Sequence, residues 1–292
     1  MIILFGSTGN IGPHLLDCLR ERGAIGRTRA VVRSAEAARA KLGARLDGVD
    51  VVEGDIEKHD SLARALDGGT VVYSGVGGAT GTPDLVTHTQ HLIDASARAG
   101  VRRYVHVSGM DAGPDAPSRI QKWHGAIEAH LRASSLAPTV MRPTFFFQNF
   151  FGLVPAIKTG ALPFPTGEGK CALIDARDIA ACAAAVLAGE GHEGKTYTIT
   201  GPKALSHGEA AQIFTRVLER QVNFADLPGP AFEGALVQAG LPAWFAALLT
   251  DVYVTLFATS GAARVTSDVE TLTGKAPRAL ETFVRDHRAV FA

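Results

Sequence analysis

The chain is poor in the residues that would staple it, chelate a metal or carry it into a membrane. Its three cysteines, Cys18, Cys171 and Cys182, stand far apart, with neither disulfide-framework nor zinc spacing. They are expected to be reduced packing residues. Charge of one sign is missing too. The 29 basic residues balance 29 acidic ones, so no overall positive field draws in nucleic acid or anionic lipid. The apolar residues 1–5 form too short a run for a signal peptide and lack a basic flank. The longest later apolar stretch, residues 241–258, is broken by Pro242 and Asp251, which excludes a membrane span. None of the ten histidines falls in an HExxH pattern or other ligand spacing, so no metal is expected. These absences point to a cytoplasmic protein without nucleic-acid or membrane partners, its oligomeric state left open.

What is present is an ordinary globular composition, 46% hydrophobic and 20% charged. Short β-branched runs at residues 2–5, 28–32, 49–53, 70–73, 103–107 and 139–141 alternate with helical patterns at 11–22, 35–46, 61–66, 84–99 and 118–133. Such alternation predicts right-handed βαβ crossovers and an α/β, doubly wound parallel sheet of Rossmann type. After Arg142 the rhythm changes to a Phe-, Pro- and Gly-rich segment. An alanine-rich helix then runs to about Gly189, a strand lies at 195–200, and a mostly helical remainder begins at the capping-box spacing Ser206–Glu209. The expected division is a sheet domain over residues 1–150, revisited at about 171–200, and a smaller, mostly helical lobe over 151–292.

The most informative segment is ILFGSTGNIGPHLLDCL. Gly6, Gly9 and Gly12 follow the first strand and open the first helix. Gly6 permits the tight turn, Gly9 close approach of the backbone to a pyrophosphate, and Gly12 close helix–sheet packing. Ser7, Thr8, Asn10 and Ile11 complete a loop whose amides face the phosphates at the positive end of the helix dipole. Thr8 stands where a G-x-G-x-x-G pattern has its second glycine. At the end of the second strand, where NAD binders carry a carboxylate for the ribose 2′-hydroxyl, this chain has Arg33 followed by Ser34. A guanidinium there suits the 2′-phosphate of NADP(H); the alternative is a solvated surface arginine.

Together these pieces resemble the NmrA-like family of atypical short-chain dehydrogenases/reductases. Further matching segments are GDIEKHDSLARAL, HVSGM, IEAHLRASSLAPTVMRPTFFFQNF, IDARDIAACAAAVL and RVTSDVETLTGKAPRALETFV, in order along nearly the whole chain. The resemblance implies that Asp55 contacts the adenine amino group with Ile56 against the ring, although Asp55 also reads as a helix N-terminal acid. It implies that Ser74, Gly75, Val76 and Gly77 line the adenosine ribose and pyrophosphate, and that Pro143 and Thr144 meet the nicotinamide carboxamide. Phe145, Phe146, Phe147 and Phe150 would wall an apolar pocket, or else form core, with Asn149 as a polar contact in that pocket.

One departure from the family pattern bears on function. Related reductases use Tyr-x-x-x-Lys, and the family frame puts Ile120 at the Tyr position and His124 at the Lys position. Ser108 matches the family serine, but no tyrosine accompanies it. His124 is left as the candidate ribose ligand and proton donor, with a structural histidine as the alternative. The resemblance then implies NADPH-dependent reduction of a quinone-like or other conjugated small molecule. Such a reaction needs a hydride donor, a stacked acceptor and one weak acid. A non-catalytic NADP(H)-binding redox sensor is the second reading.

Overall fold

The computed structural model describes residues 1–76 and 84–292. The first strands are β1 (Ile2–Phe5), β2 (Thr28–Val32), β3 (Asp50–Glu53), β4 (Val71–Ser74), β5 (Arg103–Val107) and β6 (Ala137–Pro143). Next, β7 (Ala161–Phe164) and β8 (Lys170–Cys171) lie outside the sheet, which β9 (Thr196–Ile199) completes. The result is a seven-stranded parallel sheet ordered β3-β2-β1-β4-β5-β6-β9. All four residues of β1 and of β4 are buried, as expected of strands covered on both faces. β3 closes one edge, its end residues Asp50 and Glu53 exposed and Val51 and Val52 between them half-buried. The order reverses at β1, flanked by β2 and β4, and open α/β sheets bind ligands beyond the carboxyl ends of the strands at such a switch point. There Phe5, Ser74, His106 and Val140 stand in register across four strands.

The crossovers are α1 (Gly12–Glu21), α2 (Ala35–Leu42), α3 (Leu62–Leu66), α4 (Leu85–Arg98) and α5 (Arg119–Ala133), followed by α6 (Val154–Lys158) and α7 (Ala176–Ala188). The expected helix over 35–46 ends four residues early, at a glycine. Gly43 takes a φ of +52° and the chain continues as a 3-10 turn. Then β10 (Leu205–Ser206) pairs with β8, and α8 (His207–Leu218) starts at a complete capping box between Ser206 and Glu209. β11 (Asn223–Asp226) pairs parallel with β7, a strand pair not expected from the helical pattern. The chain ends through α9 (Gly229–Gln238), α10 (Ala243–Val252), α11 (Asp268–Thr273), α12 (Leu280–Asp286) and α13 (Arg288–Phe291). α10 runs on into a π-helical turn, Tyr253–Phe257.

Two compact units result. The first comprises residues 1–114, 123–142 and 179–197, the second 115–122, 143–178 and 198–292. The chain enters the second unit briefly at residues 115–122 and again after Arg142, where the Phe-rich run belongs to that unit. The first unit is held by buried aliphatic residues such as Ile3, Leu92, Ile127 and Leu131, each contributing roughly 1.5–3 kcal/mol by its burial. The second has an aromatic core, with Phe147, Phe150, Phe214, Phe283 and Phe291 all within 2% of full burial. Among the described residues, no helix is long and apolar enough to cross a membrane.

Candidate active site

The glycine loop has the shape that a pyrophosphate cradle needs. Gly6 has a φ of +94°, and a Cβ there would lie 2.8 Å from the Gly75 carbonyl oxygen. At Gly12 a Cβ would meet the Ser7 carbonyl oxygen at 2.1 Å, so only glycine lets α1 begin against the loop. Gly9 is different. It is exposed, and a Cβ would approach nothing nearer than the Gly6 oxygen at 3.4 Å. The space beside it is open to a ligand. The N-terminus of α1 has no side-chain cap and no acidic residue in its first turn, so its positive end is left for an anion. The Ser7 hydroxyl is buried without a partner. Thr8 is half-buried and Asn10 exposed, whereas the Ile11 side chain is core; Ile11 can offer a ligand only its backbone.

At the end of β2, Arg33 is exposed and makes no hydrogen bond or ion pair with any described residue. Ser34 caps α2 by accepting from the Ala37 amide at 3.2 Å. Two amides earlier, the Glu53 carboxylate accepts from Ala35 at 2.8 Å, placing a negative charge near the position that Arg33 would reserve for a phosphate. Asp55 does not start a helix. Its carboxylate accepts from the Glu57 amide at 3.1 Å and shapes a turn braced by Ser61. Ile56 is 93% buried in the first unit's core, which leaves little of it for an adenine ring. The side chains of Ser74 and Val76 are likewise buried, so that segment offers backbone. Gly77 lies outside the described residues.

His124 sits on α5, which is tied to the sheet by a buried carboxylate. Glu128 accepts from the Ser108 hydroxyl at 2.6 Å and from Arg142 at 2.9 and 2.7 Å. Arg142 also donates to the Ala112 carbonyl at 2.9 Å, and the bonds to Glu128 raise its pKa. Gly125 lets the loop after β5 close on the helix, since a Cβ would lie 2.6 Å from Gly113. His124 itself is buried, and its Nδ1 has no partner. Burial brings its pKa down to about 4 against the opposing pull of Glu128. Its ring centroid lies 5.7 Å from that of His106, both of whose nitrogens are also unpartnered. Burial first, and then the neighbouring imidazole, lower His106 to about 3. Each unsatisfied buried polar group costs about 1–3 kcal/mol. One turn before His124, Ile120 is half-buried, and Lys122 points to solvent.

In the second unit, Thr144 is committed to structure: its hydroxyl donates to the Ala172 carbonyl at 2.5 Å and its amide to Ile199 at 3.1 Å. Pro143 is buried beside it. Phe147 and Phe150 are core, the alternative left open for them by the sequence; a 3-10 turn beginning at Phe147 turns both inward. Phe145 and Phe146 stay half-buried. Phe145 packs on Tyr253 at 5.1 Å and Phe257 at 5.5 Å. Asn149 is exposed, and its side chain meets the Tyr253 phenol. Gln148 and Arg177 both bind Asp175, so the IDARDIA segment serves here as a structural clasp.

His106, Arg142 and Tyr253 were not singled out in the sequence. A signal existed for the first, because a polar residue within a strand covered on both faces must itself be buried. For Tyr253, nothing local marks the contact.

A model of the NmrA-like family matches residues 1–282. The NAD(P)H azoreductase of Xenophilus azovorans is 35% identical over 292 residues, covering 100% of this chain and 99% of that protein. The NADPH-dependent quinone oxidoreductase of Escherichia coli, solved with NADPH, superposes with a TM-score of 0.87 at 27% identity, covering 98% of this chain and 99% of the other. The Citrobacter sp. triphenylmethane reductase complexed with NADP(H) superposes with a TM-score of 0.87 at 25% identity, over 98% and 99% of the two chains.

Proposed function

The chain belongs to the NmrA-like family, and from that premise we propose that it is an NADPH-dependent reductase of quinone-like or other conjugated small molecules. The observation that carries the choice of acceptor is Ile120, a half-buried hydrocarbon one helical turn before His124. Reduction of an isolated carbonyl relies on a strong hydrogen-bond acid at that place. A conjugated acceptor spreads the negative charge it gains and needs only a weak proton donor. The relatives named for azo, quinone and triphenylmethane reduction support the same class.

When bound, NADPH supplies the hydride. The residues do the rest. The loop from Gly6 to Gly12 holds the pyrophosphate on the amides of α1, Arg33 and Ser34 take the 2′-phosphate, and Asp55 orients the adenine. His124 holds the nicotinamide ribose through one ring nitrogen and is the proton donor. Ser108 is a poor donor, because its hydroxyl is already given to Glu128. In the second unit, the half-buried Phe145 and Phe146 and the exposed Asn149 are the contacts for an aromatic acceptor. A cytoplasmic location suits a reductase drawing on the cellular NADPH pool.

The test is to mix the protein with NADPH and a panel of quinones, azo dyes and triphenylmethane dyes, and follow the loss of reduced-nicotinamide absorbance. Turnover on at least one acceptor is expected. Tight NADPH binding with no turnover on any of them would instead make the protein a redox sensor.

A further inference from the structure

His106 is a buried polar group of the first unit that the proposed chemistry leaves unused. It lies on β5 at the carboxyl end of the sheet, in register with Ser74 on β4 and Val140 on β6. Its exposure is 0%, and neither ring nitrogen has a hydrogen-bond partner. Around it, the hydroxyls of Ser74 and Tyr104 meet on the same face of the sheet. Toward α5 its neighbour is His124, whose Nδ1 is equally unpartnered. The charged groups on α5 nearest this pair belong to Glu128, and they are already occupied by Ser108 and Arg142. An apolar side chain of the same shape would serve packing at least as well, since replacing unsatisfied polar groups by apolar ones is neutral or stabilising. The imidazole therefore has no structural use at this point, and it stands at the ligand-binding edge of the sheet.

Resting on the reductase reading above, we propose that His106 and His124 form a buried proton-passing pair, with His106 the group that reloads His124 after each reduction. The balance is that of a two-electron reduction. The acceptor takes a hydride and becomes an anion, and an N–H proton of His124 moves to that anion. The other nitrogen of His124 takes the N–H proton of His106, and His106 regains a proton from water by way of the Ser74 hydroxyl. Each ring gains one proton as it gives one up, so neither needs to rest as a cation. A neutral imidazole, one donor and one acceptor nitrogen, is built for this exchange. Burial keeps both rings in that neutral form. With the centroids 5.7 Å apart, both rings must turn toward each other and close in slightly before facing nitrogens come within hydrogen-bond reach.

The experiment compares wild type, His106→Phe and His106→Ala. The Phe variant should fold with an equal or higher melting temperature and bind NADPH within threefold of wild type. Acceptor turnover should fall at least tenfold with little change in KM, and the solvent deuterium effect should grow. Added imidazole should restore the Ala variant, which has room for it, and not the Phe variant. If the Phe variant does not fold, His106→Gln replaces it, being polar but unable to pass a proton in this way. Unchanged turnover and isotope effect in a folded His106 variant would overturn the relay while leaving the reductase reading intact. A wild type that binds NADPH but reduces nothing would overturn both.

Discussion

Replacing Arg33 by alanine should weaken NADPH about tenfold and leave NADH almost untouched. The side chain is exposed and bonded to no described residue, so its removal should not move the melting temperature. A hydrogen bond to a charged group contributes about 1.5–3 kcal/mol. Solvent and salt at an exposed site pull the value toward the lower end, and about 1.4 kcal/mol is one factor of ten in affinity. Glu53 acts against the phosphate, since its carboxylate holds the Ala35 amide at 2.8 Å. Glu53→Gln should therefore raise the preference for NADPH over NADH a few-fold. Both effects should shrink as ionic strength rises, because the Debye length falls from about 10 Å at 0.1 M to about 3 Å at 1 M. The assay is fluorescence titration of the two reduced cofactors at low and high salt. Equal affinity of wild type for NADPH and NADH, or an Arg33→Ala variant with unchanged NADPH affinity, would refute the assignment of the 2′-phosphate.

Gly9 and Gly12 should separate binding from folding: Gly9→Val should keep the melting temperature and lose NADPH, whereas Gly12→Ala, meeting Ser7 backbone, should lose both. Glu128→Ala strands Arg142 without its carboxylate and should destabilise the protein by about 3–5 kcal/mol in chemical denaturation; a loss under 1 kcal/mol would contradict the buried-pair reading. The imidazoles of His106, His124 and His207 are lowered by burial to about 3, about 4 and about 3. The unfolded chain therefore binds more protons than the native one below its ordinary histidine pKa of about 6.5, and stability must fall as pH drops through that window toward 4. Melting temperatures measured from pH 7.5 to 4.5 check the sign, and His106→Phe should flatten the decline.

Elements of the sheet were legible where burial leaves a continuous mark. The runs IILF, TRAVV and RYVHV became β1, β2 and β5 with the expected bounds, because strands covered on both faces must be apolar almost throughout. By contrast, NFAD carries no such mark. It is a strand only because Asn223 to Asp226 pair with Ala161 to Phe164, and a contact across that sequence distance leaves nothing in the local pattern. The four phenylalanines show a second limit. Composition treats Phe145 and Phe147 alike, yet the 3-10 turn starting at Phe147 sends one ring into the core and leaves the other half-open. In the candidate site, the glycine loop and Arg33 could be placed from spacing because backbone geometry dictates them. The Ser108–Glu128–Arg142 clasp could not, because its members come from the loop after β5, from α5 and from β6.

The interleaving of the two units also sets an order of events during synthesis. When Pro143 leaves the ribosome, β6 is the open edge of an incomplete sheet, and its partner β9 is not made until Thr196–Ile199 appear. At about 5–20 residues per second, the intervening stretch takes on the order of three to ten seconds to emerge. Throughout that interval the nascent chain displays an unpaired strand edge, the kind of surface that recruits another strand. No contiguous gene fragment encodes the first unit, so any shortened version ending before residue 196 would keep that edge permanently.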